Sequence, residues 1–410
     1  MSRSRVRDYV VLALGLAATL LISWYALGDI PRGNWFFTGH YACSFCDVKS
    51  RIHDVATAAH GGVLYAADAH KQYFTYPPAA LFLFWPLSWV SKWVAIYWWT
   101  VLTMLATALS IAAAWKALTG EWSVRTLGRS LLAGAVAVFT IPVISICISQ
   151  GQTASIIMAA LILDALVIRH RGQGVLTGVA AAIKLYPALF IFWWLVKREW
   201  RPARNAAASA LATTALAWWV WPGYSHRFFF YRLISGREVS HFHDKIHWRA
   251  TSSSPYTVFF RPPFGQSTLS SVLGSIAIVV VTVGLVYAAW RIFRRGYPIS
   301  AFVVGLMAAT FAAPVVWDHY FAWAVLFIPV AIELGWKSRA GLAALLALVT
   351  TMIPWGLARD ENFSNVGLTP TTMLIFVARN ALLVTSVIFA VVAATAPLRG
   401  DNASAGELVE

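Results

Sequence analysis

A chain of 410 residues that is 59 % hydrophobic and 12 % charged has too little polar surface to coat a globule, which excludes a soluble protein. Its net charge of +15 sits in short Lys and Arg clusters between apolar runs. That is how topology charges are distributed, so nucleic acid is not an expected partner.

In chain order, apolar runs of roughly the 20 residues that cross a bilayer are predicted at 9–28, 92–115, 130–149, 153–168, 205–221, 269–290, 299–316, 321–335, 340–357 and 371–396. The expected fold is therefore an all-α polytopic membrane bundle of about ten full transmembrane helices. The first run follows Arg3, Arg5 and Arg7 but precedes no small-residue cleavage site, so it is read as a retained helix. Basic connections at 116–129, 169–171, 197–204, 291–295 and 337–339 all fall on one side under this threading, which makes that side the cytoplasm. Both termini are then cytoplasmic. Residues 1–397 form one membrane domain, and 398–410 form a short disordered tail.

Two stretches do not fit as single crossings. Residues 77–91 open with Pro77-Pro78 and are too short to span; residues 174–196 are flanked at both ends by basic clusters and interrupted by Pro187. Both read as half-penetrating elements, and irregular backbone at membrane depth is tolerated only where protein buries it or a wet cavity adjoins it. The alternative is a displacement of the span boundaries by one helix.

The outer loops carry the chemistry. The first holds Asp47, Asp54 and Asp68 among Lys49, Arg51, Lys71 and several His, and ends in Phe74-Thr75-Tyr76-Pro77-Pro78. A carboxylate at the mouth of a membrane cavity can act as general base toward a hydroxyl, and Asp47 is the first candidate, with Asp54 as the alternative. The bland reading is a solvated loop with ordinary surface acids. Cys43 and Cys46, with His40 and His53 nearby, suggest zinc on paper, but an oxidising compartment favours a small disulfide or free thiols. Gln150-Gly151-Gln152 ends an apolar run, where amides are natural ligands for sugar hydroxyls. Lys184 lies inside an apolar stretch; its ammonium either finds an anionic partner or snorkels toward the cytoplasmic interface.

The largest outer loop brings His241, His243, Asp244, Lys245, His247, Trp248 and Arg249, then Arg261-Pro262-Pro263. The His spacing matches neither a helical metal pair nor a zinc knuckle, so no metal and no cofactor are expected. Cations interleaved with aromatics suit anionic lipid headgroups and sugar faces. Finally, Trp317-Asp318-His319-Tyr320 is squeezed between two apolar runs. His319 could donate to a phosphate and Asp318 could orient that ring or bind a hydroxyl; the alternative is an interfacial anchor.

Taken in order, Asp47, Gly62-Val63-Leu64-Tyr65, Phe74 to Pro78, Gly151-Gln152, Ala182-Ile183-Lys184 with Pro187, Lys197-Arg198-Glu199-Trp200-Arg201, and Trp317-Asp318-His319 resemble the pattern of glycosyltransferase family 87. The departures are the Cys-containing stretch before Asp47 and residues 250–263. The resemblance implies a GT-C-like fold with its active site in the outer loops, and a multi-pass protein of the bacterial inner membrane. It implies transfer of a hexose, expected to be mannose, from a polyprenyl-phosphate-sugar donor to a glycolipid or glycan acceptor. It supports Asp47 as the base. Lys184, His319, Arg249 and Arg261 become candidates to hold the donor phosphate, and Asp318, Gln152, Tyr76 and Trp317 candidates to bind substrate. The competing expectation is a lipid or sugar transporter or flippase, which would place ionisable residues along a path through both leaflets. A purely structural scaffold would show no dependence on Asp47.

Overall fold

The computed structural model describes residues 3–29, 45–65, 74–234, 253–259, 267–351 and 370–398, and among these every regular element is helical. Cys43, Asp68, Lys71, the 241–249 cluster with Arg249, Arg261 and all of the terminal tail except residue 398 lie outside the described residues. Helix α1 (Arg3–Asp29) leads to α2 (Cys46–Ala59), the short α3 (Ala80–Phe84), α4 (Lys92–Thr119), α5 (Val124–Thr140), α6 (Pro142–Gln150) and α7 (Ala154–Ile162). Then come α8 (Val175–Ile183), α9 (Leu189–Val196), α10 (Trp200–Val220), α11 (Pro222–His226) and α12 (Pro255–Val258). The chain closes with α13 (Thr268–Arg294), α14 (Pro298–Phe311), α15 (Phe327–Glu333), α16 (Arg339–Thr350) and α17 (Pro370–Ala394).

By length and composition three helices can each cross a membrane, namely the 5–28 stretch of α1, α4 and α13. A fourth candidate is α5 with α6, bent by 90° where Pro142 opens α6. The other apolar elements are shorter, several of them interrupted. The run 153–168 ends in a π-helical turn, Leu163–Val167, and the run 321–335 is led by a 3-10 segment, Asp318–Leu326.

The chain shuttles between two ends of this bundle. Asp8 pairs with Arg125 at 2.6 Å, and Gly128 lets Leu12 approach so closely that an added Cβ would lie 2.7 Å from the Leu12 nitrogen. Helices α1 and α5 are thereby locked side by side in parallel, through the small-residue contact typical of helices in lipid. Thr19, Ser23 and Ala26 are buried, with Ser23 donating to Met104 Sδ of α4 at 3.3 Å, while Leu21 and Trp24 face outward. Helix α14 is buried from Ile299 to Phe311 and apolar all round, as a central helix must be. Its first N–H groups, which no helical carbonyl can reach, donate to Glu333: Ile299 N at 3.0 Å and Ser300 N at 2.7 Å. Asp164 does the same for α8, accepting from Gly174 N at 2.7 Å and from Thr177 N at 2.8 Å.

Residues 174–196 reverse direction. Helix α8 runs parallel to α10, with Gly174 against Pro202, Gly178 against Ala206 and Ser209, and Ala182 beside Ala217. Since α10 starts only three residues after α9 ends, α9 must bring the chain back to where α8 began. The turn falls at Lys184-Leu185, where helical geometry breaks and a 3-10 turn, Tyr186–Ala188, follows. Residues 77–91 form α3 and a 3-10 segment, Trp85–Trp89, as a short broken element.

Candidate functional site

The site is assembled where α2 meets the end of α6. Helix α6 finishes with Gly151 at φ +75°, and Gln152 N donates to Cys147 O at 2.8 Å, the capping arrangement that favours glycine. Val48 occupies the space that a side chain at Gly151 would need, its Cβ only 2.6 Å from an added Cβ. Phe45 N donates to Ser149 O at 2.6 Å, and Phe45 itself sits at φ 54°, a costly region for a bulky residue. Cys46 is disulfide-bonded. Trp99 Nε1 holds the turn from below by donating to Gly151 O at 2.9 Å. These contacts press the first turn of α2 against Gln152, whose Nε2 donates to the carboxylate of Asp47.

Cations surround that carboxylate. Arg51, one turn along α2, donates from Nε to Asp47 O at 3.3 Å and pairs with Asp54 at 3.1 Å. Its guanidinium lies over the rings of Phe74 and Tyr76, 5.2 and 5.4 Å from their centres. Lys184, at the turn between α8 and α9, points its ammonium at three tyrosine faces: Tyr320 at 4.2 Å, Tyr76 at 5.4 Å and Tyr186 at 5.6 Å. It does not snorkel back toward the end where α8 starts. Burial raises the Asp47 carboxyl above its ordinary 3.8, while the charges of Arg51 and Lys184 and the Gln152 hydrogen bond pull the other way. Asp54 is raised by burial too, against the lowering effect of Arg51.

His319 completes the ring of polar groups. It is buried, its carbonyl accepts from the Cys147 thiol at 3.5 Å, its ring meets Tyr320 edge-on at 4.9 Å, and the Lys184 charge reaches it. Asp47, Tyr76, Gln152, Lys184 and His319 thus come together from five separate stretches. Trp317 and Asp318 immediately precede His319. Tyr76 is only 8 % exposed, with its hydroxyl 3.2 Å from Thr153 Oγ1 and its ring beneath two cations, so it forms floor more than rim. Gln152 gives one amide hydrogen to Asp47; its second N–H and its carbonyl oxygen are further polar groups. Among the described residues no three His, Cys, Asp or Glu gather as metal ligands.

Sequence reasoning assigned no role to Arg51, Tyr186, Tyr320 or Cys147. Tyr186 and Tyr320 stand within the very motifs that were singled out, one beside Pro187 and one after His319, which was the available signal. Arg51 lies four residues after Asp47, on the same face of a helix that was read as loop.

A profile of glycosyltransferase family 87 matches residues 74–317, more than half of the chain. The chain belongs to this family. The family 87 match includes Tyr76, Gln152 and Lys184 but stops short of Asp47 on one side and His319 on the other. Among curated proteins, a Mycobacterium tuberculosis polyprenol-phosphate-mannose-dependent alpha-(1-2)-phosphatidylinositol mannoside mannosyltransferase is 28 % identical over 316 residues, 72 % of this chain and 70 % of that protein. A pentamannoside mannosyltransferase of the same species is 24 % identical over 83 % of this chain and 78 % of its own length. Its Mycolicibacterium smegmatis counterpart is 26 % identical over 83 % and 82 %. No solved structure matches the chain.

Proposed function

We propose that this protein transfers mannose from a polyprenyl-phosphate carrier to a glycolipid acceptor at the extracytoplasmic face of the bacterial inner membrane. The single observation that carries the reading is the convergence of a half-buried carboxylate, Asp47, with the Lys184 ammonium from a distant helical turn. The relatives' donor and acceptor, a polyprenol-phosphate mannose and a phosphatidylinositol mannoside, set the substrate classes.

In this reaction the acceptor hydroxyl attacks the anomeric carbon as Asp47 takes its proton, and the bond from that carbon to the phosphate oxygen breaks. The polyprenyl phosphate leaves with the electron pair of that bond, already a stable anion. A leaving group of this kind needs cations more than a general acid. Lys184 supplies the near cation of that cradle and His319 a neutral N–H donor beside it, and Arg249 and Arg261, outside the described residues, are its further candidates. Raising the Asp47 carboxyl by burial strengthens it as a base, provided it stays ionised at the working pH. Gln152 orients it. Asp318 and Trp317, immediately before His319 in the chain, are assigned to the sugar in this reading.

The topology that fits has ten crossings, with α8–α9 and the 77–91 element entering and returning on one side and both termini in the cytoplasm. Support comes from the clusters around Arg125, Lys197 and Arg295, which all lie at helix ends away from Asp47. Purified protein in liposomes, given radiolabelled polyprenyl-phosphate mannose and phosphatidylinositol mannoside, should form a longer glycolipid. Movement of labelled lipid across the bilayer with no new glycoside would overturn this in favour of a flippase.

A further inference from the structure

Beyond the carboxylate, α2 runs on for eleven residues to Ala58, a distance of about 16 Å at the helical rise. There its C-terminal end borders a separate cavity of about 460 Å³. Gly61, Gly62 and Tyr65 form one wall; Trp221, Gly223 and Arg227 form the other. The walls are tied together, since the Tyr224 hydroxyl donates to Gly62 O at 2.5 Å. Side chains added at Gly61 or Gly223 would meet nothing within 4 Å, so the glycines leave real room and not a packing seam. Tyr65 stands between the cavity and the Asp47 cluster: it lines the former, and its hydroxyl donates to Tyr76 O at 2.8 Å. On its other flank α10 carries outward-facing Leu216, Trp219 and Val220, a surface suited to hydrocarbon.

We propose that this cavity seats the remote part of the acceptor, with Arg227 holding the phosphate of a phospholipid-anchored glycan and Tyr65 and Trp221 flanking its sugars. The inference rests on the glycosyltransfer reading above and assigns the acceptor a second point of attachment. Geometry separates it from the donor. The donor phosphorus is one oxygen away from the carbon under attack, so it must lie within a few ångströms of the hydroxyl that Asp47 deprotonates. A cation at the far end of α2 is too distant for that phosphate. An acceptor, by contrast, carries its phosphate one or more sugar rings away from the reacting hydroxyl, which is the spacing the two sites offer. The aromatic walls and the single cation are the lining expected for a sugar-phosphate bearing a lipid tail.

Two variants test it: Gly223→Phe, which sets a ring on the cavity wall at a position where an added Cβ meets nothing within 4 Å, and Arg227→Gln. With phosphatidylinositol mannoside as acceptor and polyprenyl-phosphate mannose as donor, each should raise the acceptor KM about tenfold or more while leaving the donor KM within twofold. Octyl mannoside, which lacks the phosphate, should be used by Arg227→Gln as well as by wild type. A raised donor KM with an unchanged acceptor KM would overturn the assignment. Retention of phosphatidylinositol mannoside by the purified proteins, read by native mass spectrometry, provides a readout without turnover. Wild type should retain the lipid and Gly223→Phe should lose it; equal retention refutes the acceptor seat. If wild type retains the lipid but makes no product, the glycosyltransfer reading fails and the binding site stands.

Discussion

Asp47→Asn keeps the shape of the side chain and its place in the first turn of α2 while removing its ability to accept a proton. Gln152 Nε2, which donates to Asp47, can donate equally to the amide oxygen of Asn, so the contact between α2 and the end of α6 survives. A positioned general base contributes about a hundredfold to ten-thousandfold, and at 1.36 kcal/mol per factor of ten that is about 2.7–5.5 kcal/mol of barrier. The loss should appear in kcat. The donor KM should not rise, because Lys184 and Arg51, freed of a competing negative charge, still face the anionic donor. The assay is transfer of radiolabelled mannose to phosphatidylinositol mannoside in liposomes, with protein amount fixed by quantitative blot. Asp54→Asn is the matched control: it breaks a buried pair with Arg51, whose partners are 5 % and 9 % exposed, so it should lower yield and thermal stability while the protein that folds keeps its turnover. An Asp47→Asn protein within threefold of wild-type kcat, or an Asp54→Asn protein that is well folded yet inactive, refutes the assignment of the base.

The pH profile gives a second test. Burial raises the Asp47 carboxyl and the Lys184 charge lowers it, so Lys184→Met should let Asp47 protonate at a higher pH; the acid limb of kcat/KM moves upward, and a limb that stays put or moves down contradicts the contact. Gly174 has φ +96°, and a Cβ there would lie 2.1 Å from Pro202 O, so Gly174→Val should abolish accumulation of folded protein, as measured by fluorescence-detected gel filtration. Glu333→Ala strands the Ile299 and Ser300 N–H groups of α14, each costing about 1–3 kcal/mol. Its unfolding midpoint in detergent should fall by several degrees, with residual activity per folded molecule unchanged.

The sequence disclosed the membrane class, the order of the apolar elements and five of the side chains that meet at the site. Gln152, Lys184 and His319 were legible because a polar group at or within an apolar run needs a reason; Asp47 and Tyr76, in a charged loop, were picked out by the family resemblance. Arg51 was not legible, because a cation in a charged loop needs no reason until α2 forms and buries it against Phe74 and Tyr76. Tyr186 and Tyr320 stack on each other at 5.7 Å across 134 residues of chain, and no local pattern encodes that meeting. The break between α5 and α6 had a local signal, Pro142, but the run 130–149 is apolar throughout and hydropathy is blind to a 90° bend within it. Glu333 and Asp164 were overlooked for a related reason: a carboxylate that caps a neighbouring helix is recognisable only once that neighbour is in place.

The reversal at Lys184 also bears on how the protein is made. Neither arm of that hairpin is long enough to be held by hydrocarbon alone, and the backbone at its bend lacks helical partners. It needs α10 along one side, at Gly178, and α14 on the other, where Phe190 packs on Phe302 at 5.5 Å. Helix α14 is synthesised more than a hundred residues after the hairpin, so the ammonium reaches its working position late, by docking into a nearly finished bundle. A chain stopped before α14 would carry Asp47 and Gln152 already side by side, with the Lys184 turn still bare on the flank that Phe302 covers in the finished bundle.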